Sequence, residues 1–487
     1  MSIAAHWLQV GDGVARAASI AALLAASSLA AVPAAAQSVD GVWRSQGYGD
    51  VFVVNGADWK TFEVTATTCV PEAPARRIAG AAADREATFQ ENGSDPFFIR
   101  SGGSHDHKIL HRQGAASDVR IDRIPRVPAV CARPTPDTPP NNFEVFARTW
   151  AEQYISFDLK HVDWDKIVRA NRLKVTDKTT PTELFDILAG MIRPFGDAHT
   201  GIDAPSIDKH FKGFKLGIER APKSVLEVTD RVYLKSPLRS FCQDQVQYGH
   251  IDAAIGYLRI LSFSGFSAAH DFASGLAELE SALDQIFSDK SLKTLVIDVR
   301  INSGGDDPYG LAIASRLATR EYLAYTKVAR ADPVDRNKWT PGDPNIVKPS
   351  ERPRFSGPVV ELTGPSTVSA GETFTQALMG RMPHITRIGE NTQGVFSDIL
   401  ERTLPNGWRF GLPNEVFLTP DGKAFDGPGI PPDIPVPVFA PGDLAAGRDP
   451  SMARALEILR SAHAQTRHAG ALAALLELRK AIGDAHD

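Results

Sequence analysis

Cysteine is scarce. The chain has 3 in 487 residues, too few for a disulfide scaffold or a four-cysteine zinc site. A basic surplus is missing as well. Lys and Arg number 53 against 58 Asp and Glu, a net charge of −5, which leaves general nucleic-acid binding without electrostatic footing. Past the first few dozen residues no stretch reaches the ~18–20 apolar residues that a membrane span needs. Neither an internal repeat nor a heptad pattern long enough for a coiled coil is present. What remains is a globular balance, 43% hydrophobic and 23% charged, over a length that suits two or three domains.

Residues 1–36 read as a leader. Arg16 precedes an Ala/Leu-rich run from Ala17 to Val32, and Ala34 and Ala36 suit signal peptidase cleavage before Gln37. The run is short for a permanent span, and no cysteine follows for a lipid anchor. The expectation is a bacterial protein that is exported, periplasmic or secreted, with no stable membrane span. In an oxidising compartment Cys69 and Cys131 could form a bridge worth roughly 4 kcal/mol by chain entropy. Three buried free thiols are the alternative.

Residues 37–135 form a β-rich N-terminal domain in this reading. Short β-branched and aromatic runs such as Asp50-Val51-Phe52-Val53-Val54 and Thr61-Phe62-Glu63-Val64 lie between Gly, Asn and Asp turns. The prolines from Pro125 to Pro140 predict a linker. A helical subdomain over 136–210 follows. Phe143, Phe146, Trp150 and Tyr154 share one face, and Thr180-Pro181-Thr182-Glu183 opens a helix running to about Ile192. Over 211–440 the pattern is α/β. Strands are predicted at Ile255–Leu261, Leu292–Val299 and Pro358–Leu362, and helices over Phe266–Ile286 and from near Ser369. Asn406-Gly407 predicts a hairpin. Residues 441–487 read as a helical tail, with Met452, Leu456, Leu459, Leu472 and Leu476 among its apolar positions.

Three segments can carry chemistry. In Asp298-Val299-Arg300-Ile301-Asn302-Ser303-Gly304-Gly305 a buried strand ends in a glycine turn, which is either a tight strand-to-helix turn or a set of free N–H groups aimed at a ligand oxygen. In Gly364-Pro365-Ser366-Thr367-Val368-Ser369-Ala370-Gly371-Glu372 a serine opens a helix, as an N-cap or as a nucleophile favoured by the helix dipole. No G-x-S-x-G elbow surrounds it. In Phe195-Gly196-Asp197-Ala198-His199-Thr200-Gly201 a histidine sits in a glycine-flanked turn, as base, ligand or surface residue. A fourth cluster, His105, His107 and His111, could bind zinc or copper, but no fourth ligand is evident and no metal or cofactor is expected.

Together these segments resemble the serine peptidases that include the carboxy-terminal processing (tail-specific) proteases, the tricorn core protease and the repeats of interphotoreceptor retinoid-binding protein. Gly389-Glu390-Asn391-Thr392-Gln393-Gly394 and Asp426-Gly427-Pro428-Gly429-Ile430-Pro431 extend the match. The resemblance implies a crotonase-like α/β catalytic core beside the helical subdomain. It implies Ser369 as nucleophile, with oxyanion donors in the Gly304-Gly305 turn and at Ala370. Processing proteases take their base from a lysine after the last glycine of Glu-x-Thr-x-Gly. Here Val395 stands there, and no lysine occurs between Ser369 and Lys423. The tricorn-like arrangement instead implies His199 as base, supported by Asp426, where the family has glutamate. Glu372 and Glu390 are rival acids whose alternative role is to stabilise a helix and a turn. Only about fifty residues separate Gly201 from Ile255, too few for the PDZ domain of processing proteases. The expected function is a serine peptidase acting on peptide or unfolded protein. The alternative is a non-catalytic binding protein on the same fold.

Overall fold

The computed structural model describes residues 38–81 and 84–465; the leader over 1–36 and the apolar positions Leu472 and Leu476 lie outside them. The N-terminal region is an antiparallel sheet in which eight of nine strands close into a barrel, because Asp50–Asn55 pairs with both Gly41–Ser45 and Asp58–Val64. Alternating inward residues fill it: Trp43, Phe52, Trp59, Phe89, Phe97 and Ile121 are each at most 1% exposed. Trp59 packs on Phe52, Phe89 and Phe97 with ring centroids 4.8–5.0 Å apart. Side chains thus fill the barrel interior. Cys69 and Cys131 form a disulfide that ties the barrel to the chain leading out of it, while Cys242 is buried and free.

The proline-rich stretch contains only one short 3-10 turn, at Ala129–Ala132, before the first helix. That helix, Pro139–Gln153, takes the last two prolines into its first turn, where a missing N–H costs nothing. Thr138 caps it. The helix Pro181–Ile192 carries the full capping box of Thr180 and Glu183. These helices and Trp164–Arg172 bury Phe146, Trp150, Trp164, Leu188 and Phe195 against Trp408, Phe410 and Leu412. Phe410 and Leu412 belong to a four-stranded sheet of Lys209–Lys212, Gly201–Ala204, Arg409–Pro413 and Ile399–Thr403, and Trp408 lies just before its third strand. The Asn406-Gly407 hairpin joins the last two strands of that sheet. The helical layer is therefore completed by residues two hundred positions downstream, a pairing that local patterning does not report.

A seven-stranded sheet forms the α/β layer, in the order Arg239–Phe241, Val246–His250, Ile255–Ile260, Thr294–Asp298, Val359–Thr363, Thr386–Gly389, Ile434–Pro435. Neighbours from Ile255–Ile260 onward are parallel. One face, with Leu295 and Ile297, packs on the helices Phe272–Phe287, Asp307–Leu317 and Ala370–Leu378. The other, with Val296 and Val360, packs on Met452, Leu456 and Leu459 of the helix over 450–465. The helix expected from Phe266 begins six residues later because Asp271, accepting from Ser274 N–H, caps it there. Among the described residues no helix is long and apolar enough to cross a membrane.

Candidate active site

Parallel strands leave their C-terminal ends on one edge of the sheet, the usual place for ligands in such folds. Thr294–Asp298 and Val359–Thr363 are neighbours there, so the loops after them meet. Val368 N–H donates to Asn302 O at 3.2 Å and Thr367 Oγ1 donates to Val299 O at 2.8 Å. Ser369 caps the helix Ala370–Leu378 with φ 58° and ψ −125°, a left-handed conformation that costs a non-glycine residue about 1–3 kcal/mol. Its surroundings enforce it. Ser369 N–H donates to Val395 O at 3.1 Å and to Glu372 Oε2 at 3.3 Å, and its carbonyl accepts from Glu372 N–H at 2.7 Å.

The glycine turn sits against it. Gly304 has φ 80°, and a β-carbon there would lie 2.6 Å from Ser369 Cβ. Gly304 N–H donates to Asn302 Oδ1 at 2.9 Å, so it is not free to bind a ligand oxygen. Gly305, at φ 138°, faces the Phe263 carbonyl so closely that a β-carbon would lie 2.2 Å away. The N–H groups of Gly305 and Ala370 have no acceptor among the described residues. Of the two glycines expected to hold an oxyanion, Gly304 has its N–H taken by Asn302 and lies against the serine, while Gly305 keeps its N–H without an acceptor among the described residues.

His199 reaches the same place from the helical region. Gly196, at φ 53°, turns the chain, and Asp197 then accepts from His199 N–H at 3.0 Å and from Tyr154 Oη at 3.1 Å. His199 is 8% exposed, and its Nδ1 is buried without a partner among the described residues. Burial lowers its pKa, and the opposing pull of Asp197, the Ser397 backbone and Asp398 does not restore it. It is therefore neutral at neutral pH and able to accept a proton. One cavity of about 570 Å³ is lined by Ser369, His199 and Gly305, with Asp306, Asp307 and Asp398 on one side and Lys212, Lys215 and Arg220 also on its wall.

Asp426 shares the lining of a narrow cavity with the histidine. Its Oδ1 accepts from Phe396 N–H at 3.3 Å, and its Oδ2 is buried without a partner among the described residues. Burial first, then Glu372 and Asp197, push its pKa up to about 7. It makes no hydrogen bond to His199 among the described contacts, but both line a narrow cavity of about 10 Å³. Glu372 is fully buried and accepts from Gly394 N–H at 2.5 Å and Val395 N–H at 2.8 Å, so it fixes the loop whose Val395 carbonyl holds Ser369. Burial lifts its pKa to about 7 as well. The Glu390 carboxylate accepts from Val438 N–H at 3.3 Å, and its backbone bonds to Thr363, so it braces a turn.

Two features escaped the sequence reading. Lys215, more than 150 positions before the serine, lines the cavity and donates to Gln393 O and, at 2.6 Å, to Gly427 O, bracing the loops beside the serine. The barrel contributes Gly114, Ala115 and Ala116 to the cavity wall. Neither has a local signal: a lone lysine and a run of small residues become informative only once the fold places them. Asp298 and Arg300, by contrast, turn away. Arg300 pairs with Asp298 at 2.7 Å and with Asp449 at 2.8 Å, clasping the helix over 450–465. Among the described residues no group of three or more His, Cys, Asp and Glu side chains is placed to hold a metal ion. His105, His107 and His111 pair with Asp106, Asp122 and Asp118.

Residues 254–436 match the model of peptidase family S41, and residues 136–193 match that of the tricorn protease C1 domain. The carboxy-terminal-processing protease of Bartonella bacilliformis is 27% identical over 224 residues, 46% of this chain and 45% of that protein. The carboxy-terminal processing protease CtpB of Bacillus subtilis is 28% identical over 198 residues, 40% and 36% of the two chains. The chain thus spans less than half the length of the curated relatives it matches. A crystal structure of a candidate peptidase from Parabacteroides merdae is similar with a TM-score of 0.57 and 29% identity, covering 66% of this chain and 97% of that one. The resemblance of the motifs to those of carboxy-terminal processing and tricorn-type proteases is borne out.

Proposed function

We propose that this chain is an exported serine peptidase in which Ser369 is the nucleophile, His199 the base, and the N–H groups of Gly305 and Ala370 the oxyanion donors. One observation carries the reading: Ser369, His199 and Gly305, from three separate stretches of sequence, line one cavity. The neutral imidazole takes the Ser369 proton as Oγ attacks the scissile carbonyl, then returns it to the leaving amine. The helix N-terminus and the two free N–H groups favour the negative oxygen that forms, each donor being worth roughly 3 kcal/mol in the transition state. Water then hydrolyses the acyl-enzyme. Asp426 acts across the narrow cavity to favour the imidazolium, and Glu372 holds the serine loop. The core is read as crotonase-like. The substrate is read as peptide or unfolded protein, and the Ala-rich leader as the export signal of a periplasmic or secreted bacterial protein.

The test uses protein lacking residues 1–36, an unfolded protein substrate and a serine-reactive phosphonate. Cleavage and labelling are expected in the wild type and in neither Ser369→Ala nor His199→Ala. Cleavage that survives Ser369→Ala sinks the nucleophile. A folded wild type that neither cleaves nor labels favours the binding-protein alternative.

A further inference from the structure

A second depression adjoins the cavity that holds Ser369. It is open, has a volume of about 250 Å³, and shares Ala198, His199, Lys212 and Ile399 with that cavity. Its floor is the outward face of the four-stranded sheet. Gly201 stands directly opposite Gly411 on the neighbouring strand, and Lys212 and Glu401 end the same row on the two edge strands. The other face carries Ile202, Phe410 and Leu412 into the helical core. Neither glycine is needed for its backbone, because neither has a positive φ. A glycine inside a strand weakens it and marks a place where a ligand or another chain comes close. Here two of them, side by side, leave a bare patch between strands about 5 Å apart. Ile399 forms an apolar flank, its Cγ2 lying 2.5 Å from where a β-carbon on Gly411 would be. Two residues farther along, Asp203 and Arg409 face each other in register and close the far end. At this exposed rim Lys212 and Arg409 stand against Asp203 and Glu401, so no net charge is offered.

We infer that the depression over Gly201 and Gly411 is the subsite for the residue after the scissile bond, and that it selects a large neutral side chain. His199 returns its proton to the leaving amine, so the leaving segment lies on the imidazole side, and the acyl segment lies with the oxyanion donors. From Ser369 the depression begins at His199. Its volume is that of about eight waters at ~30 Å³ each, enough for one large side chain. The balanced rim favours neither acid nor base, which leaves size and apolar contact to discriminate. The inference rests on the reading of Ser369 and His199 as nucleophile and base.

The test uses one peptide series that differs only in the residue after the cleaved bond: Gly, Ala, Leu or Phe. Wild-type kcat/KM should climb by about ten- to a hundredfold from Gly to Phe, the range that added methylenes give in an apolar pocket. Two variants fill the depression. Gly411→Val does so from the floor. Glu401→Trp does so from the exposed edge strand, where an aromatic ring laid over the cross-strand glycine supports the sheet and keeps the fold. Each should flatten the series to within about threefold. A flat series in the wild type, a slope kept in Glu401→Trp, or an equal loss on all four peptides overturns the inference. The Phe and Gly peptides are also titrated by calorimetry into Ser369→Ala and Ser369→Ala/Glu401→Trp. Tighter binding of the Phe peptide that is lost in the double variant sustains the subsite even if the wild type cleaves nothing, in which case only the nucleophile falls. Equal binding of the two peptides, or none at millimolar concentration, ends it.

Discussion

The seven-stranded sheet and the N-terminal barrel border the same cavity and furnish it differently. The parallel sheet delivers Gly304-Gly305 and Ser369 from the ends of adjacent strands, in conformations that only dense hydrogen bonding can hold. The barrel delivers the small residues Gly114, Ala115 and Ala116 from the connection between two of its strands, with no acid, base or nucleophile at that wall. The difference follows from topology. A parallel sheet collects strand ends, free N–H groups and helix dipoles on one edge, whereas a closed barrel filled with aromatic side chains offers only its loops. One region should therefore govern rate and the other fit.

The sharpest way to break that division is at Gly305. Its β-carbon in Gly305→Ala would meet the Phe263 carbonyl carbon and oxygen at 2.2 Å. The turn must move, and the N–H goes with it. We expect kcat to fall by about 10²–10³ with KM little changed, the size of a lost oxyanion donor. Steady-state kinetics on a folded variant checks this. In the barrel, Ala116→Leu should raise KM by about tenfold for bulky substrates, by steric loss at the wall, and leave kcat and phosphonate labelling near wild type. If the barrel variant lowers kcat instead, the region does more than shape the cleft.

A pH profile sharpens the comparison within the catalytic side. Asp426 has a folded-state pKa raised to about 7, so it is neutral at pH 5 and ionised at pH 8. If its charge supports the imidazolium, kcat/KM should climb through an apparent pKa near 7 in the wild type. Asp426→Asn should lack that limb and keep only the one set by His199, below the ordinary imidazole range. A limb near 7 that persists in Asp426→Asn assigns it to Glu372. The stability signs run the other way. A carboxyl whose folded pKa is raised binds more protons folded than unfolded, so it costs stability as pH rises from about 4 and costs it fully above about 7. Asp426→Asn should therefore raise Tm at pH 8 and leave it unchanged at pH 4.

How much of this was legible beforehand depended on range. Short-range signals held: the Thr180 capping box, the Asn406-Gly407 hairpin, the apolar strand ending in the glycine turn, and Ser369 opening its helix. What local sequence does not encode is which strand closes the barrel, that Trp408 and Phe410 complete the helical layer, or that Lys215 and Gly114–Ala116 line the cavity that also holds the serine. Gly304 shows the limit most plainly. Its place in the motif suggested an oxyanion donor, and only the Asn302 side chain, two residues back, reveals that its N–H is already taken.

The smallest expected effect tests how the two regions are joined. Tyr48 of the barrel donates its hydroxyl to Glu415 at 2.5 Å, and Ser117 approaches the same oxygen at 3.3 Å. Glu415 in turn lies 3.1 Å from the buried Lys327, which also holds Asp398 at the cavity edge. Burial pushes the Glu415 pKa up to about 7, so its charged form depends on these donors. Tyr48→Phe removes one of them and changes no volume in the cleft. A loss of about 1–3 kcal/mol in unfolding free energy is expected, the cost of leaving a buried acceptor short of a donor, with kcat/KM changed less than about threefold. Chemical denaturation beside steady-state kinetics separates the two. If stability holds while kcat falls, the chain from Tyr48 through Glu415 and Lys327 to Asp398 carries more than adhesion, and the barrel acts on the chemistry through charge as well as shape.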